Sequence, residues 1–158
     1  MTHGATPFDS KLIGNIGIEP RSGGANNDYQ LLFTFPNAVT FSSAALASGT
    51  GSVSSATGSG TTNVTVNLTG VTNAQKITLS LQGVNDGTFT NDVAVQMGVL
   101  IGDVNGNGSV SGTDVSQTKA NTGQAVSASN FRADVVVNGA ITASDVGLVK
   151  SKSGTGLP

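Results

Sequence analysis

The chain has 158 residues, of which only 10% are charged, with a formal net charge of −2. That length holds one medium domain, or a domain of about 100 residues with a small appended module. The charge balance supplies no basic footprint for nucleic acid or an anionic membrane surface, and no apolar run approaches the roughly 18–20 residues that span a bilayer. The absence of cysteine excludes disulfides and thiolate metal sites.

Met1-Thr2-His3-Gly4 has neither the basic start nor the apolar stretch of a secretory leader, and reads as the cut edge of a longer protein or an artificial start. Up to Ile101 the pattern predicts strands. In "YQLLFTF" (29–35), Tyr29, Leu31, Phe33 and Phe35 share one face, at the period of two of a half-buried strand. "AVTFSSAALAS" (38–48) is expected to form one further strand with weaker alternation. "TNVTVNLTGV" turns Val64, Val66 and Leu68 inward, and "KITLSL" does so with Ile77, Leu79 and Leu81. "DVAVQMGVLI" alternates Val93, Val95, Met97, Val99 and Ile101. Turn-rich patches lie between: "RSGGANND" (21–28), "ASGTGS" (47–52), "ATGSGT" (56–61) and "GVNDGT" (83–88). The Ser/Gly/Thr tract 49–62 is expected to be a hairpin with a mobile tip, with a disordered linker as the alternative. Six or seven short strands without helical period predict a mainly β domain over residues 1–101. Its expected form is an antiparallel β-sandwich of immunoglobulin-like or cohesin-like type.

After Ile101 the texture changes, and residues 102–158 are expected to form a second module. Val115–Asn121 lacks strand alternation and stops at Gly123, which suits a helix C-cap. "SASNFRAD" (127–134) predicts a short helix with a serine cap, and Val146–Ser153 repeats the first helical stretch and stops at Gly154. The order is loop, helix, linker, loop, helix.

The two loops carry the chemistry. Of nine acidic residues, four are Asp103, Asp114, Asp134 and Asp145, two pairs each spaced by eleven. Aligned at an offset of thirty-one, "DVNGNGSVSGTDVSQTKANTG" and "DVVVNGAITASDVGLVKSKSG" share Asp, Val, Asn, Gly, Asp, Val, Lys and Gly in register. A hard cation such as calcium takes about six to eight oxygens, which a tight loop supplies from alternate positions. Asp103, Asn105 and Asn107 occupy places one, three and five, and Gly108 permits the sharp turn. Ser109 offers its carbonyl, Ser111 reaches through water, and Asp114 in twelfth place closes the shell with both oxygens. Val110, in eighth place, anchors the loop to the core. In the second loop Asp134, Asn138, Ala140 (by its carbonyl), Thr142 and Asp145 hold their places, but the third is Val136, which has no side-chain oxygen. Two calcium sites are expected, the second weaker. An Asn/Gly-rich turn before an Asp-capped helix explains one copy more readily than two in register. Calcium as purely structural glue is compatible with the same pattern.

Two such loops, each followed by a single exit helix and Lys119 or Lys150 five residues on, resemble the type I dockerin of cellulosome-type proteins over residues 102–154. The resemblance implies calcium-dependent folding and docking onto a cohesin β-sandwich. It also implies that residues 1–101 are the sandwich preceding such repeats in secreted or surface proteins of bacteria, an origin that the Thr/Ser/Asn/Gly-rich composition matches. In cohesin-binding members the tenth and eleventh loop places read the partner. Here they are Gly112-Thr113 and Ala143-Ser144, which present little surface. A module that packs against its own sandwich, in a monomeric chain, is therefore expected over docking onto a separate cohesin.

An enzyme is not expected. His3 is the only histidine and lies near the terminus, Glu19 is the only glutamate, and no serine has a base in a nucleophile context. Sugar stacking lacks tryptophan, and Tyr29 and its neighbouring phenylalanines read as core. Lys11 with Asp9 or Glu19 is a loose candidate for an isopeptide bond, and the sequons at Asn63, Asn67 and Asn107 read as chance.

Overall fold

The computed structural model describes residues 2–3, 6–12 and 17–158. Among them are β1 (Thr2–His3), β2 (Thr6–Pro7), β3 (Gly17–Glu19), β4 (Tyr29–Val39), β5 (Ser43–Ser48), β6 (Ser52–Thr57), β7 (Thr61–Thr69), β8 (Gln75–Asn85) and β9 (Thr90–Val99). Two helices follow, α1 (Gly112–Asn121) and α2 (Ala143–Lys152). The protein is thus mainly β with two principal sheets, ordered β3-β9-β8-β5 and β4-β7-β6, and a small helical part, as the sequence predicts. No helix of the described residues is long and apolar enough to cross a membrane. The polypeptide divides into two compact units, one of Ala25–Thr72 and Ile77–Gln96, the other of Met1–Gly24, Asn73–Lys76 and Met97–Pro158.

In the first of these units, alternation produces the core. Tyr29 and Leu31 of β4, Val64, Val66 and Leu68 of β7, and Ile77, Leu79 and Leu81 of β8 are all buried. Each fully buried aliphatic side chain of this kind contributes about 1.5–3 kcal/mol. Antiparallel β4–β7 pairing sets Leu31 opposite Val66 and Phe33 opposite Val64. Phe33 and Phe35 stack with centroids 6.4 Å apart, and both are half-buried.

Two expectations for this region need correction. The stretch 38–48 is not one strand: β4 runs on through Pro36 to Val39, and β5 starts only at Ser43. A proline is tolerated there because β4 is an edge strand and its register shifts between Thr34 and Val39. Nor is the Ser/Gly/Thr tract 49–62 the tip of a hairpin between the strands on either side: it contains a strand of its own, β6, which pairs with β7, while β5 pairs with β8. A register shift between Val53 and Ser55 spaces the half-buried Val53 and Ala56 three apart instead of two, which hides the strand from a period-two reading. The β6–β7 turn requires glycine at 58: φ is +96°, and a Cβ there would lie 2.1 Å from the Asn63 oxygen.

The other unit contains β3, which the sequence reading passed over. It runs parallel to the end of β9, with Ile18 opposite Gly98, where antiparallel pairing is expected throughout. Three residues are too few to show alternation. The core here is Leu100, Val104, Val110, Val135, Ile141 and Val149, with Ile18, Val115, Leu148 and Leu157 packed against it. Val110 and Ile141, the eighth residues of the two loops, are therefore anchors as expected.

Both helices start three residues before the predicted point because capping boxes nucleate them. Ser111 accepts from Thr113 N–H while Asp114 accepts from Ser111 N–H, and Thr142 with Asp145 repeats the device. Gly123 and Gly154 follow the helices with φ of +81° and +89°. The predicted helix at 127–134 is only a 3-10 turn, Phe131–Ala133. Asn130 closes the preceding bend instead, accepting from Ser127 N–H and donating to the Ala125 carbonyl.

Candidate metal centre

The first loop is wound around the carboxylate of Asp103. Its Oδ1 accepts from Gly106 and Asn107 N–H at 2.9 and 3.1 Å, and its Oδ2 accepts from Gly108 N–H at 2.8 Å. Asn105 Oδ1 accepts from Asn107 N–H, and Asn107 Oδ1 from Ser109 N–H, so side chains at alternate places tighten the turn in succession. Asp114 closes the loop from the first turn of α1. Its Oδ1 accepts from Asn105 N–H at 3.2 Å, and its Oδ2 from Ser111 N–H at 2.9 Å and Ser111 Oγ at 3.1 Å.

The second loop repeats most of this arrangement, although Val137 N–H, in the place of Gly106, donates to the Asp134 backbone oxygen at 3.3 Å. Asp134 Oδ1 accepts from Asn138 N–H and Oδ2 from Gly139 N–H, while Asn138 Oδ1 accepts from Ala140 N–H. Asp145 Oδ1 accepts from Val136 N–H and Oδ2 from Thr142 N–H. Val136 supplies the same backbone donor as Asn105 but no side-chain oxygen, and it is 38% exposed.

Each loop is braced by the other repeat. Gly154, after α2, donates to the Val110 carbonyl at 2.9 Å, and Gly123, after α1, donates to the Ile141 carbonyl at 2.9 Å. Short bridges Ser109–Gly156 and Ala125–Ala140 extend the two pairings. The apolar eighth residues are thus held by backbone bonds as well as by burial.

Residues outside the repeats complete the surroundings. Glu19 and Arg21 form a buried bidentate pair, with Nε–Oε1 at 2.5 Å and Nη2–Oε2 at 2.6 Å. The Arg21 guanidinium lies 5.1 Å above the Phe131 ring, and the same ring stacks on Phe8 at 5.5 Å. Arg132 donates to the backbone oxygens of Val104, Ile18 and Asp103 at 2.8, 2.8 and 2.9 Å. Burial pulls the pKa of Arg132 down from the usual arginine value, against the opposing charges of Glu19 and Asp103. The segment Gly17–Ser22 therefore runs past both loops: Pro20 O accepts from Gly102 N–H, and Ser22 N–H donates to Val135 O.

The donor set fits a hard cation. Asp103, Asp114, Asp134 and Asp145 are all 0% exposed, although an ionised carboxylate is costly to bury. Asparagine amides, serine or threonine hydroxyls and backbone carbonyls are the other oxygens at hand, and none of these atoms is a nitrogen or sulfur ligand. Among the described residues no group of three or more His, Cys, Asp or Glu comes together, so each loop offers two carboxylates and neutral oxygens for the rest.

The predicted residues Asp103, Asn105, Asn107, Ser109, Ser111 and Asp114 come together in one loop, and Asp134, Asn138, Ala140, Thr142 and Asp145 in the other. The hydroxyls of Ser111 and Thr142 also serve as helix caps. Sequence reasoning missed Glu19, Arg21 and Arg132. One signal was present: these are the sole glutamate and both arginines of the protein, and charges so scarce are seldom placed without a partner. Glu19, a loose isopeptide candidate, is engaged by Arg21. His3 lies in β1, paired with Thr6. No curated protein and no solved structure matches this sequence. Residues 101–152, holding both loops and both helices, match the family model of the dockerin type I domain.

Proposed function

We propose that residues 102–158 are a calcium-binding, non-catalytic module of a secreted or cell-surface bacterial protein, fastened in cis to segments of its own β region. In this reading residues 1–101 are a β-sandwich of immunoglobulin-like or cohesin-like type, and the protein is a monomer. Asp103, Asn105, Asn107, Ser111 and Asp114, with the Ser109 carbonyl, hold one ion. Asp134, Asn138, Thr142 and Asp145, with the Ala140 carbonyl, hold a second more weakly. Calcium, when bound, supplies the positive charge that two buried carboxylates per loop lack.

The observation that carries the reading is the repetition of one acceptor pattern. First- and twelfth-place aspartates accept from equivalent N–H groups in both loops, and all four are buried. Asp114 and Asp145 alone suffice for the capping boxes, and the first aspartates add a second buried carboxylate to each loop. The family match over 101–152 supports calcium and an interaction role, since dockerin domains bind calcium and are not catalysts. Attachment in cis is favoured by the bonds from Gly17–Ser22 to residues around both loops. The same family match favours a second reading, docking onto a separate cohesin, through the exposed Thr113 and Ser144 and their helices. Calcium titration by calorimetry tests the common part: two binding events support it, and none removes it. Size-exclusion chromatography with a cohesin panel separates the two readings, because co-elution with any cohesin selects the second.

A further inference from the structure

The sequence has three Asn-Gly dipeptides, Asn105-Gly106, Asn107-Gly108 and Asn138-Gly139, and all three lie in the two loops. Glycine has no Cβ to shield its backbone nitrogen, so in Asn-Gly that nitrogen most readily reaches the preceding side-chain amide carbon. All three asparagines are exposed. The folded loops nevertheless withhold the nucleophile. Gly106 N–H donates to Asp103 Oδ1 at 2.9 Å, Gly108 N–H to Asp103 Oδ2 at 2.8 Å, and Gly139 N–H to Asp134 Oδ2 at 2.9 Å. A proton shared with an ionised carboxylate is hard to remove, and the resulting amide anion would face negative charge. The electrophile is restrained too: Oδ1 of Asn105, Asn107 and Asn138 each accepts from the N–H two residues on.

We infer that Asn105, Asn107 and Asn138 are deamidation sites that the closed loops protect, so that bound calcium sets the chemical lifetime of the module. The inference rests on the calcium reading above. When a loop opens, solvent hydroxide removes the glycine amide proton and the nitrogen attacks Cγ of the asparagine. A new bond from that nitrogen to Cγ closes a five-membered succinimide, and the bond from Cγ to Nδ2 breaks with release of ammonia. Water then opens the ring at either carbonyl, leaving aspartate or isoaspartate. Nothing is oxidised or reduced, and water is the only co-reactant. Aspartate keeps the spacing of the loop and adds a carboxylate. Isoaspartate lengthens the backbone by one atom, so every later oxygen falls out of place relative to the first aspartate. A reversible loss of the ion thereby becomes irreversible.

The test incubates the 158-residue chain in alkaline buffer with calcium or with EDTA and follows the amide-to-acid mass gain in peptides spanning each dipeptide. If attack requires opening, and opening releases the ion, calcium at about 100 times its dissociation constant slows the reaction about 100-fold. Calorimetry on the same sample checks binding separately. Binding with equal rates in the two buffers overturns the inference. Absence of binding overturns the calcium reading instead, and Asp134→Asn then decides protection by the carboxylate. A faster gain at Asn138 alone, with Asn105 and Asn107 unchanged, supports protection, and an unchanged rate at Asn138 overturns it.

Discussion

Arg132, two residues ahead of the first aspartate of the second loop, donates from Nη2 to the backbone oxygen of Asp103, the first aspartate of the first loop, at 2.9 Å. The same guanidinium holds the Val104 and Ile18 carbonyls, so one residue joins the starts of both loops to β3. A planar fork with several fixed donors can serve three carbonyls at once, whereas an ammonium acts as a single compact charge. Arg132→Gln and Arg132→Lys are both expected to destabilise the protein by about 2–3 kcal/mol, which is a fall in Tm of about 5–10 °C. They should also weaken calcium binding at the first loop, although Arg132 is not among its candidate ligands. Calorimetry and thermal melting of the two variants check this. A lysine variant with unchanged melting and affinity would show that the three bonds are incidental.

Calcium should raise stability by mass action. With a dissociation constant of about 10 μM and about 1 mM calcium, the gain is about 2.7 kcal/mol. EDTA is expected to lower the melting temperature, or to melt the module apart from the rest as a separate transition. A melting curve indifferent to EDTA removes the calcium assignment.

The loops should differ in affinity because Val136 stands where the first loop has Asn105. Asp103→Ala deletes a carboxylate from the fuller shell and frees three N–H groups. It is expected to cost about 3 kcal/mol of binding, roughly 100-fold, at the tighter site. Asp134→Ala acts on the weaker one. Val136→Asn restores an oxygen at an exposed position and should tighten the second site by about tenfold. Equal affinities in the unaltered protein contradict this ranking.

Much of this arrangement was legible in the sequence, and the limits of legibility are physical. Val64, Val66 and Leu68 announce their strand because one face meets the core and the other meets water. The loops announce themselves because Asp103–Asp114 recurs as Asp134–Asp145, a fixed spacing of the kind a set of metal ligands would impose. β6 stayed hidden because a bulge altered its period, and β3 because its pairing with Met97–Val99 is long-range and only three residues long. The early helix starts escaped notice because Asp114 and Asp145 act as capping-box residues as well as candidate ligands. Reading them as ligands, or as caps ahead of the helix, placed them outside helices whose caps are Ser111 and Thr142.

The Glu19–Arg21 pair offers a prediction independent of metal. Both residues are buried, at 6% and 1% exposure, so removing one partner leaves the other's charge out of water without that counter-ion. Glu19→Ala is expected to cost about 3–5 kcal/mol, much more than a surface pair. Replacing both residues together by apolar ones of similar volume should recover much of that loss. Thermal melting of the single and double variants in excess calcium checks it, and a loss under about 1 kcal/mol in Glu19→Ala rules out a structural role for the pair.

The last prediction concerns the segment Gly17–Ser22. Leu100 N–H donates to Glu19 O at 3.1 Å, Gly102 N–H to Pro20 O at 2.9 Å, and Ser22 N–H to Val135 O at 2.7 Å. Gly102 directly precedes the first aspartate of one loop, and Val135 directly follows that of the other. An opened loop moves one end of each of these bonds, so their protection is tied to the state of the loops rather than to β3 alone. No flexible linker intervenes, because β9 ends at Val99 and the first aspartate follows four residues later. Chelating calcium is therefore expected to raise amide exchange at Ser22, Leu100 and Gly102 in step with Gly106, Gly108 and Gly139. Val66, buried in the other unit, is the internal reference. Hydrogen exchange read by mass spectrometry, with and without EDTA, makes the comparison. If exchange rises in the loops while Ser22, Leu100 and Gly102 stay protected, the repeats act independently of Gly17–Ser22. Attachment in cis then loses its support, and docking onto a separate cohesin becomes the better account of the module.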